Sequence, residues 1–290
     1  MDIRQPARAG SFYDGSPERC RRHAMQLIDQ VPADADLPGP VLGGIVPHAG
    51  WVFSGMLAAR TLKALEGDRP PRTIVLLGAD HSGLAEAGEV YHRGAWRTPV
   101  GDVAVDEELA EAILHAGTHL RANPQAHAHE HSLEVQVPFI KLLYPAARIV
   151  PITVPPTAQA IEIGQSVGSA IAEGFTDVAV VGSTDLSHHG GHFPAPGGHG
   201  ATGAKWAAAN DRRIIKLIEA MDAQAVILEA DAHGNACGAG AIAATIAACR
   251  ALGAGRGICL QYTNSYQVIH AMAPDDPDDT TVGYVSVVFV

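Results

Sequence analysis

The sequence predicts a single α/β domain spanning residues 1–290, with a mostly parallel sheet flanked by helices. Short runs rich in Val and Ile end in Gly-containing turns and alternate with longer segments of helical spacing. This alternation is typical of crossover connections between parallel strands. The 290 residues are 47% hydrophobic and 18% charged, a composition that can bury a sizeable core and that excludes intrinsic disorder.

The individual elements follow from residue type and segment length. The predicted strands are short β-branched runs, which favour buried strands over helices: residues 41–46, 73–78, 148–154, 177–182, 257–262 and 282–290. The predicted helices carry apolar residues at helical spacing: residues 17–30, 54–65, 106–116, 132–143, 158–173, 210–228 and 238–252. Gly and Pro punctuate residues 190–203, so we predict an irregular loop there that acts as a lid.

The charge balance disfavours nucleic acid as a partner. Lys and Arg number 20 against 31 Asp and Glu, giving a net charge of −11, whereas phosphate binding needs a basic face. No apolar run approaches the ~20 residues of a membrane-spanning helix, and the N-terminus has no apolar signal region. The four cysteines form no CxxC pair. We therefore expect a cytoplasmic protein with no membrane partner.

Several of the 15 histidines follow predicted strands at the point where each strand ends. His48, His81 and His188 each come after a different strand, and Asp185 precedes His188 in the same loop. Open α/β sheets place ligands outside the carboxyl ends of their strands, so we expect these side chains to meet at one sheet edge. A single strand-end histidine is more often structural, but three at one edge indicate a site. Of the neighbours His188 and His189, we expect His188 to point inward.

Two further segments supply candidate groups. Cys237 lies at the start of a small-residue helix, where amide groups and the helix dipole lower the pKa of a thiol, although a small buried cysteine is an equally good interpretation. His131 and Glu134 lie in the run HAHEHSLEVQ. If a helix begins near Ser132, they share a face and line a pocket as acid, base or supporting groups. Otherwise this run is a solvated loop.

These residue types favour a transition metal. Imidazoles combined with a thiolate or carboxylate suit Fe(II), Cu or Zn, whereas Mg and Ca prefer oxygen ligands. The sequence has no GxGxxG after a strand, no GxxxxGK[ST] and no GxSxG elbow, since the string GQSVG at 164–168 falls inside a predicted helix and not at a strand-to-helix turn. These absences argue against dinucleotide, P-loop and α/β-hydrolase chemistry.

Six motifs, spread over nearly the whole chain, occur together in one order. They are RQPARAGSFYDG at 4–15, PHAGWVFSG at 47–55, GADHSG at 78–83, EHSLEVQVPF at 130–139, STDLSHH at 183–189 and ACGAGAI at 236–242. This set resembles the Memo family (mediator of cell motility), including its bacterial and archaeal members named as protein B of the AmmeMemoRadiSam system. Members of that family are similar in fold to class III extradiol dioxygenases, non-heme iron enzymes that open catechol rings.

The resemblance implies a set of metal ligands. The histidines of the PHAG and DH motifs and the cysteine of the CG motif are the family's ligands, and they correspond to His48, His81 and Cys237. The dioxygenases themselves use two histidines and a glutamate, so a cysteine stands in the place of the carboxylate. The position of His189 carries an aromatic residue in other members.

The resemblance also implies roles for other residues and, with them, a function. The family's D-x-x-H pair maps to Asp185 and His188, and its EHS motif maps to His131 with Glu134 nearby. We expect His188, oriented by Asp185, to act as general base and His131 as the acid. The expected activity is that of a metal-dependent, dioxygenase-like protein acting with O2 on a small catechol-like or other reduced substrate.

Three questions stay open at this point. Fe(II) is the expected metal, with Cu or Zn as alternatives. Two alternatives to the dioxygenase-like function are a non-catalytic redox, signalling or peptide-binding protein of the family and a Zn-dependent hydrolase. The small-residue helix after Cys237 would suit packing against another element or against a second copy in a homo-oligomer.

Overall fold

The computed structural model describes residues 2–32, 37–67, 69–83 and 85–290. Within these ranges the helices are α1 (Pro17–Asp29), α2 (Trp51–Ala64), α3 (Glu107–Ala116), α4 (Val137–Leu143), α5 (Gln159–Ala172), α6 (Gly200–Glu219), α7 (Ala223–His233), α8 (Ala239–Ala251) and α9 (Ser265–Met272). The strands are β1 (Ile3–Arg4), β2 (Gly43–Val46), β3 (Thr73–Gly78), β4 (Gly88–Val90), β5 (Ala95–Trp96), β6 (Val103–Ala104), β7 (Leu120–Ala122), β8 (Arg148–Thr153), β9 (Val178–Ser183), β10 (His188–His189), β11 (Gly257–Asn264) and β12 (Thr281–Phe289). None of the described helices is long and apolar enough to cross a membrane.

The main sheet is mixed, with its parallel strands at the centre. Its strand order over the described residues is β10-β12-β2-β9-β3-β8-β4-β7, and β11 also pairs with β12. The pairs β2–β9, β9–β3 and β3–β8 are parallel, whereas β12 pairs antiparallel with β2, β10 and β11. Helices pack against this sheet, α8 on β9 and β3, and α2 and α6 on β12. The predicted α/β class is therefore confirmed.

The six predicted strands are all present, and their ends shift by at most two residues. The segment 210–228, predicted as one helix, is instead divided between α6 and α7. Met221 has a left-handed φ of 54°, which interrupts the helical path. The side chain of Asp222 then accepts a hydrogen bond from the amide of Ala225 at 3.0 Å and begins α7 as its N-cap.

Two other segments near the sheet edge also differ from the prediction. The segment 132–143 begins as a 3-10 turn at Glu134–Gln136, and α4 begins only at Val137. The loop predicted over 190–203 ends at His199, because Gly200 already starts α6. The first difference changes which side chains can face one another, since a 3-10 turn and an α-helix have different periods.

The start of α8 is pressed close to the strand ends because its neighbours are small. A Cβ placed on Gly164 of α5 would lie 2.1 Å from the carbonyl oxygen of Ala244 of α8. A Cβ placed on Gly238, the N-cap of α8, would lie 2.5 Å from the carbonyl oxygen of Ser183 at the end of β9. Glycine at these positions thus lets α8 bring Cys237, which directly precedes Gly238, against the sheet edge.

His127 makes the stability of this fold depend on pH. Its Nε2 donates to the carbonyl oxygen of Glu89 at 2.8 Å, and burial lowers the pKa of this imidazole to about 4. The unfolded chain, in which a histidine titrates near 6.5, therefore binds more protons than the folded chain between pH 6.5 and 4. The contribution of His127 to the free energy of unfolding is complete above pH 6.5 and is lost as the pH falls through this window.

We expect this loss to be about 2–3 kcal/mol between pH 7.5 and 4.5, at about 1.4 kcal/mol per pKa unit. Urea unfolding at both pH values checks it, with His127→Gln as the comparison, because glutamine keeps a donor for the Glu89 carbonyl and does not titrate. Between pH 7.5 and 4.5, the free energy of unfolding of His127→Gln should fall by about 2–3 kcal/mol less than that of the unchanged protein. Equal slopes would show that His127 is not the titrating group.

Candidate metal centre

The parallel strands bring two histidines and a cysteine together at their carboxyl ends. His48 follows β2, His81 follows β3, and Cys237 approaches from the start of α8. One donor atom from each, two imidazole nitrogens and a sulfur, lie within 4.8 Å of one another. Sγ of Cys237 and Nε2 of His48 are 3.2 Å apart. These three residues, called here the ligand cluster, are those that the family resemblance implies.

The segment after residue 129 supplies a second set of groups beside the ligand cluster. The ring of His131 stacks on that of His81, with centroids 4.5 Å apart. Nδ1 of His81 lies 2.9 Å from Oε1 of Glu130, and the backbone amide of His81 donates to Oε2 of the same carboxylate. Donor atoms of His81, Glu130 and His131 also lie within 4.8 Å of one another. Glu130 is a residue that the sequence reasoning did not select, although it directly precedes His131 in the EHS motif.

Glu134, expected beside His131 in the pocket, is instead turned towards the N-terminal segment. Oε1 accepts from the amide of Arg8 and the hydroxyl of Tyr13, both at 2.8 Å. Oε2 accepts from the amide of Ala7 at 2.7 Å and pairs with the guanidinium of Arg4 at 2.8 Å. The reason is the 3-10 turn at Glu134, which breaks the assumed α-helical alignment. Glu134 therefore anchors a structural segment, and the expectation of a pocket carboxylate is not met at this residue.

Asp185 is close to the ligand cluster but does not orient His188. Its Oδ1 accepts from the amide of His48 at 2.7 Å, and its own amide donates to Sγ of Cys237 at 3.3 Å. Nδ1 of His188 instead donates to the carbonyl oxygen of Leu186 at 2.9 Å. The predicted Asp185–His188 pairing is thus replaced by a backbone contact, and Asp185 supports the ligand cluster directly.

Of the two adjacent histidines, His188 lines the cleft and His189 does not. His189 is buried, its Nε2 accepts from the amide of Gly197 at 3.3 Å, and its ring packs on Trp206. His188 is therefore the residue of the pair that faces the site, as the sequence analysis expects. His189, at the position where the resemblance implies an aromatic residue, is thus not part of the cleft wall.

Burial sets the charge state of most of these groups. It lowers the pKa of His48, of His131 (to about 4) and of His188, so these imidazoles are neutral at pH 7. Burial also acts to lower the pKa of His81, but hydrogen bonds with Cys237 and Glu130 outweigh it and raise the value to about 10. His131 is consequently in its proton-accepting form, which favours a base or acceptor over the expected acid.

The thiol of Cys237 behaves differently from the sequence-based expectation. Cys237 lies just outside α8, whose N-cap is Gly238, and burial raises the pKa of its thiol. Burial likewise raises the pKa of the neighbouring Asp185 carboxyl to about 7. The expected lowering by the helix start is absent because desolvation of the thiolate is the larger effect. A bound cation would reverse this, since a coordinated thiol is deprotonated.

A cleft of about 800 Å³ opens above the ligand cluster. Its lining includes the imidazoles of His48, His81, His131 and His188. The N-terminal residues 10–16 form one wall. The apolar lining comes from Phe12, Val52, Phe53, Phe193, Val282 and Tyr284. A mostly apolar cleft with convergent polar groups is the usual form of a small-molecule site.

The Gly-rich loop contributes one side chain to this cleft. The ring of Phe193 contacts that of His188 edge to face, with centroids 4.9 Å apart. The loop is tied to the segment before β12, because Asp279 accepts from the amide of Gly191 at 3.0 Å and pairs with Nδ1 of His199. Its role as a lid stays a prediction.

Comparison with known proteins gives one consistent result. Residues 4–288 match the family model described as "Memo-like protein". A MEMO1 family protein of Methanopyrus kandleri is 35% identical over 99% of this chain and 98% of the relative. One of Methanothermobacter thermautotrophicus is 38% identical over 92% and 95%, and one of Pyrobaculum aerophilum is 32% identical over 100% and 99%. The similarity thus covers almost the full length of this chain and of each of these relatives.

Proposed function

This chain belongs to the Memo family, and from that membership we propose that it is a mononuclear non-heme metalloenzyme. In this proposal it oxidises a small catechol-like or other reduced substrate with O2, and His48, His81 and Cys237 hold iron(II). The observation that supports it is the convergence of two imidazole nitrogens and a sulfur within 4.8 Å, with both imidazoles on the lining of the cleft. Cu and Zn are the competing metals, because the same donor types suit them.

The donor set fits such an ion. Donors that bind one ion at about 2.0–2.3 Å lie roughly 3–4 Å from one another, close to the spacing of the ligand cluster. Bound iron(II) would supply a redox-active centre with open positions for O2 and a chelating substrate. Each protein ligand has a second contact: Ser183 beside His48, Glu130 beside His81, and the amide of Asp185 beside Cys237.

His188 is the proposed general base. Its Nδ1 donates to the Leu186 carbonyl, which leaves Nε2 as the accepting nitrogen. Since burial lowers the pKa of His188, the imidazole is neutral and ready to accept a proton at pH 7. A substrate hydroxyl in the cleft would transfer its proton to this nitrogen. His131, also neutral, would accept a hydrogen bond from the substrate beside His81.

The walls of the cleft support an aromatic or similarly flat substrate. Phe12, Phe53 and Phe193 supply apolar surface, and a volume of about 800 Å³ admits a small ring compound. The proposed partners are therefore this substrate and O2, with no nucleic acid and no membrane surface involved. A cytoplasmic location is part of the proposal, and the free thiols of Cys20, Cys249 and Cys259 support it.

Metal content and O2 consumption test this function. Protein purified without oxygen is analysed for metals, loaded with iron(II) and offered a panel of catechols while O2 uptake is recorded. Stoichiometric iron and substrate-dependent uptake are expected. Copper without uptake would favour a non-catalytic redox or signalling protein, and oxygen-independent hydrolysis by a zinc form would favour the hydrolase.

Replacing His188 with alanine is expected to lower turnover at least about 100-fold, because general base catalysis contributes that much. Iron occupancy should stay unchanged, since His188 is outside the ligand cluster. His192→Ala is the matched control, because His192 lies in the same loop region but is exposed. Loss of iron from His188→Ala, or unchanged turnover, would contradict the assigned role.

A further inference from the structure

Both histidines of the ligand cluster are connected to the same three-residue segment. His81 contacts the carboxylate of Glu130, and His48 is linked through Ser183 to the carbonyl oxygen of Ser132. Two side chains from different strands therefore depend on one segment, residues 130–132. The direction of each hydrogen bond determines how that segment affects the two imidazoles.

The contact of His48 has one possible direction. The hydroxyl of Ser183 has one hydrogen, and it donates this hydrogen to the carbonyl oxygen of Ser132 at 2.7 Å. A carbonyl only accepts, so the hydroxyl oxygen is left to accept from Nδ1 of His48 at 3.0 Å. Nδ1 must then carry the proton. Nε2 of His48 is left with a free electron pair, and this nitrogen is the one that lies 3.2 Å from Sγ of Cys237.

The contact of His81 leads to the same result. The Glu130 carboxylate accepts from the amides of His81 and Ser132 at 2.9 and 2.8 Å, and these bonds fix its position. A carboxylate accepts only, so Nδ1 of His81, 2.9 Å from Oε1, must donate to it. The nitrogen left to bind a cation is again Nε2.

We propose that residues 130–132, acting with Ser183, fix both imidazoles so that each binds the metal through Nε2. Glu130 and Ser183 are positioning residues in this scheme. Glu130 acts directly on His81, and Ser183 transmits the position of the Ser132 carbonyl to His48. The inference rests on the proposed metal-binding function, and it assigns to the EHS motif a role that does not require His131 to react. Partners of this kind typically change metal affinity 10–100-fold when removed.

The tautomer of His48 is the first test, and it needs no metal. Protein labelled with 15N in its histidines is examined by NMR at pH 8 in the metal-free form. We expect His48 to carry its proton on Nδ1 in the unchanged protein. In Ser183→Ala, we expect a population with the proton on Nε2 to appear. A proton on Nε2 of His48 in the unchanged protein would overturn the inference.

Zinc binding is the second test, with Zn²⁺ as a diamagnetic probe. In the zinc-loaded protein, both His48 and His81 should show a coordinated Nε2 and a protonated Nδ1. Ser183→Ala and Glu130→Gln should each bind zinc about 10–100-fold more weakly. Alanine removes the hydroxyl that accepts from Nδ1 of His48, and glutamine cannot accept from all the N–H groups that contact the Glu130 carboxylate. Ser286→Ala is the matched control, since it removes a buried serine hydroxyl that contacts Thr61.

The outcomes separate this inference from the proposed function. Coordination through Nδ1, or wild-type zinc affinity in both Ser183→Ala and Glu130→Gln, would overturn the inference while leaving metal binding intact. If the unchanged protein binds no zinc, iron or copper, the proposed function fails, and the His48 tautomer in the metal-free protein still decides whether Ser183 fixes the orientation of this imidazole. An equal loss of affinity in Ser286→Ala would show a general effect of buried serine removal and would also count against it.

Discussion

Replacing Cys237 with serine is expected to weaken binding of iron(II) and of zinc by more than about 100-fold. Removing a group that only contacts a metal ligand typically weakens metal binding about 10–100-fold, and removing a ligand itself should weaken it more. Cys237 provides the sulfur donor of the ligand cluster, 3.2 Å from Nε2 of His48. Serine keeps a hydrogen-bonding group for the Asp185 amide, but its hydroxyl does not ionise near neutral pH and is a harder ligand. Two imidazoles alone would remain to hold the ion.

Competition with a chelator of known affinity measures this effect. Cys259→Ser is the control, because Cys259 is a half-buried thiol on β11, away from the ligand cluster. Its metal affinity should equal that of the unchanged protein, and circular dichroism should show both variants folded. Tight metal binding in Cys237→Ser would mean that the ion is held elsewhere, with His81, Glu130 and His131 the next donor set to consider.

Glu134→Ala is expected to lower the free energy of unfolding by about 3–5 kcal/mol, the usual cost of removing one partner of a buried ion pair. The side chains of Glu134 and Arg4 are 1% and 3% exposed, so the variant would leave a buried guanidinium without its carboxylate. The amides of Ala7 and Arg8 and the hydroxyl of Tyr13 would lose their acceptor as well. The N-terminal wall of the cleft should then detach.

Urea unfolding measures the loss of stability, and Glu162→Ala provides the control. Glu162 is 63% exposed and pairs with His119 on the surface, where such pairs contribute about 0–1 kcal/mol. Hydrogen exchange should show faster exchange at residues 7–13 in Glu134→Ala but not in the control. A loss of stability under about 1 kcal/mol in Glu134→Ala would show that the N-terminal segment is held mainly by apolar packing.

The strands could be predicted from local composition. The proximity of the histidines could be predicted from the rule that places ligands at the carboxyl ends of parallel strands. Val- and Ile-rich runs need burial on both faces, and parallel strands bring the loops at their carboxyl ends to one edge of the sheet. His48 and His81 are therefore placed correctly from sequence alone. Cys237 comes from a helix start that no strand rule covers, so its position there makes it a candidate, and only the motif resemblance assigns it to the ligands.

The roles of individual carboxylates could not be predicted in this way. Glu130 and Glu134 both lie near His131 in the chain, and choosing between them needs the local helix type. An α-helix from Ser132 would place Glu134 beside His131, but the 3-10 turn directs Glu134 towards Arg4 instead. The two kinds of turn differ by only about 10–20° in the backbone angle ψ, a difference that residue types alone do not reveal.

The partner of His188 could not be predicted either. A D-x-x-H spacing suggests a side-chain contact with Asp185, yet the ring of His188 bonds to the carbonyl oxygen of Leu186. Backbone carbonyls have no sequence signature, so contacts to them are invisible until the chain path is known. The buried backbone amide of His48, which donates to the carboxylate of Asp185 instead, likewise has no sequence signature.

The long separation between the parts of the site has a consequence for the order in which a growing chain can complete them. Glu134 binds groups that were synthesised 121–127 residues earlier, and Cys237 approaches His48 across 189 residues. Until Glu134 has been synthesised, the segment around Tyr13 lacks its partner, and until Cys237 has been synthesised, His48 and His81 form only part of a donor set. Contacts of such sequence separation form late. Loading of the proposed metal is therefore expected only after Cys237 has been synthesised, and the nascent protein passes through a stage in which His48 and His81 lack the thiol that completes the donor set.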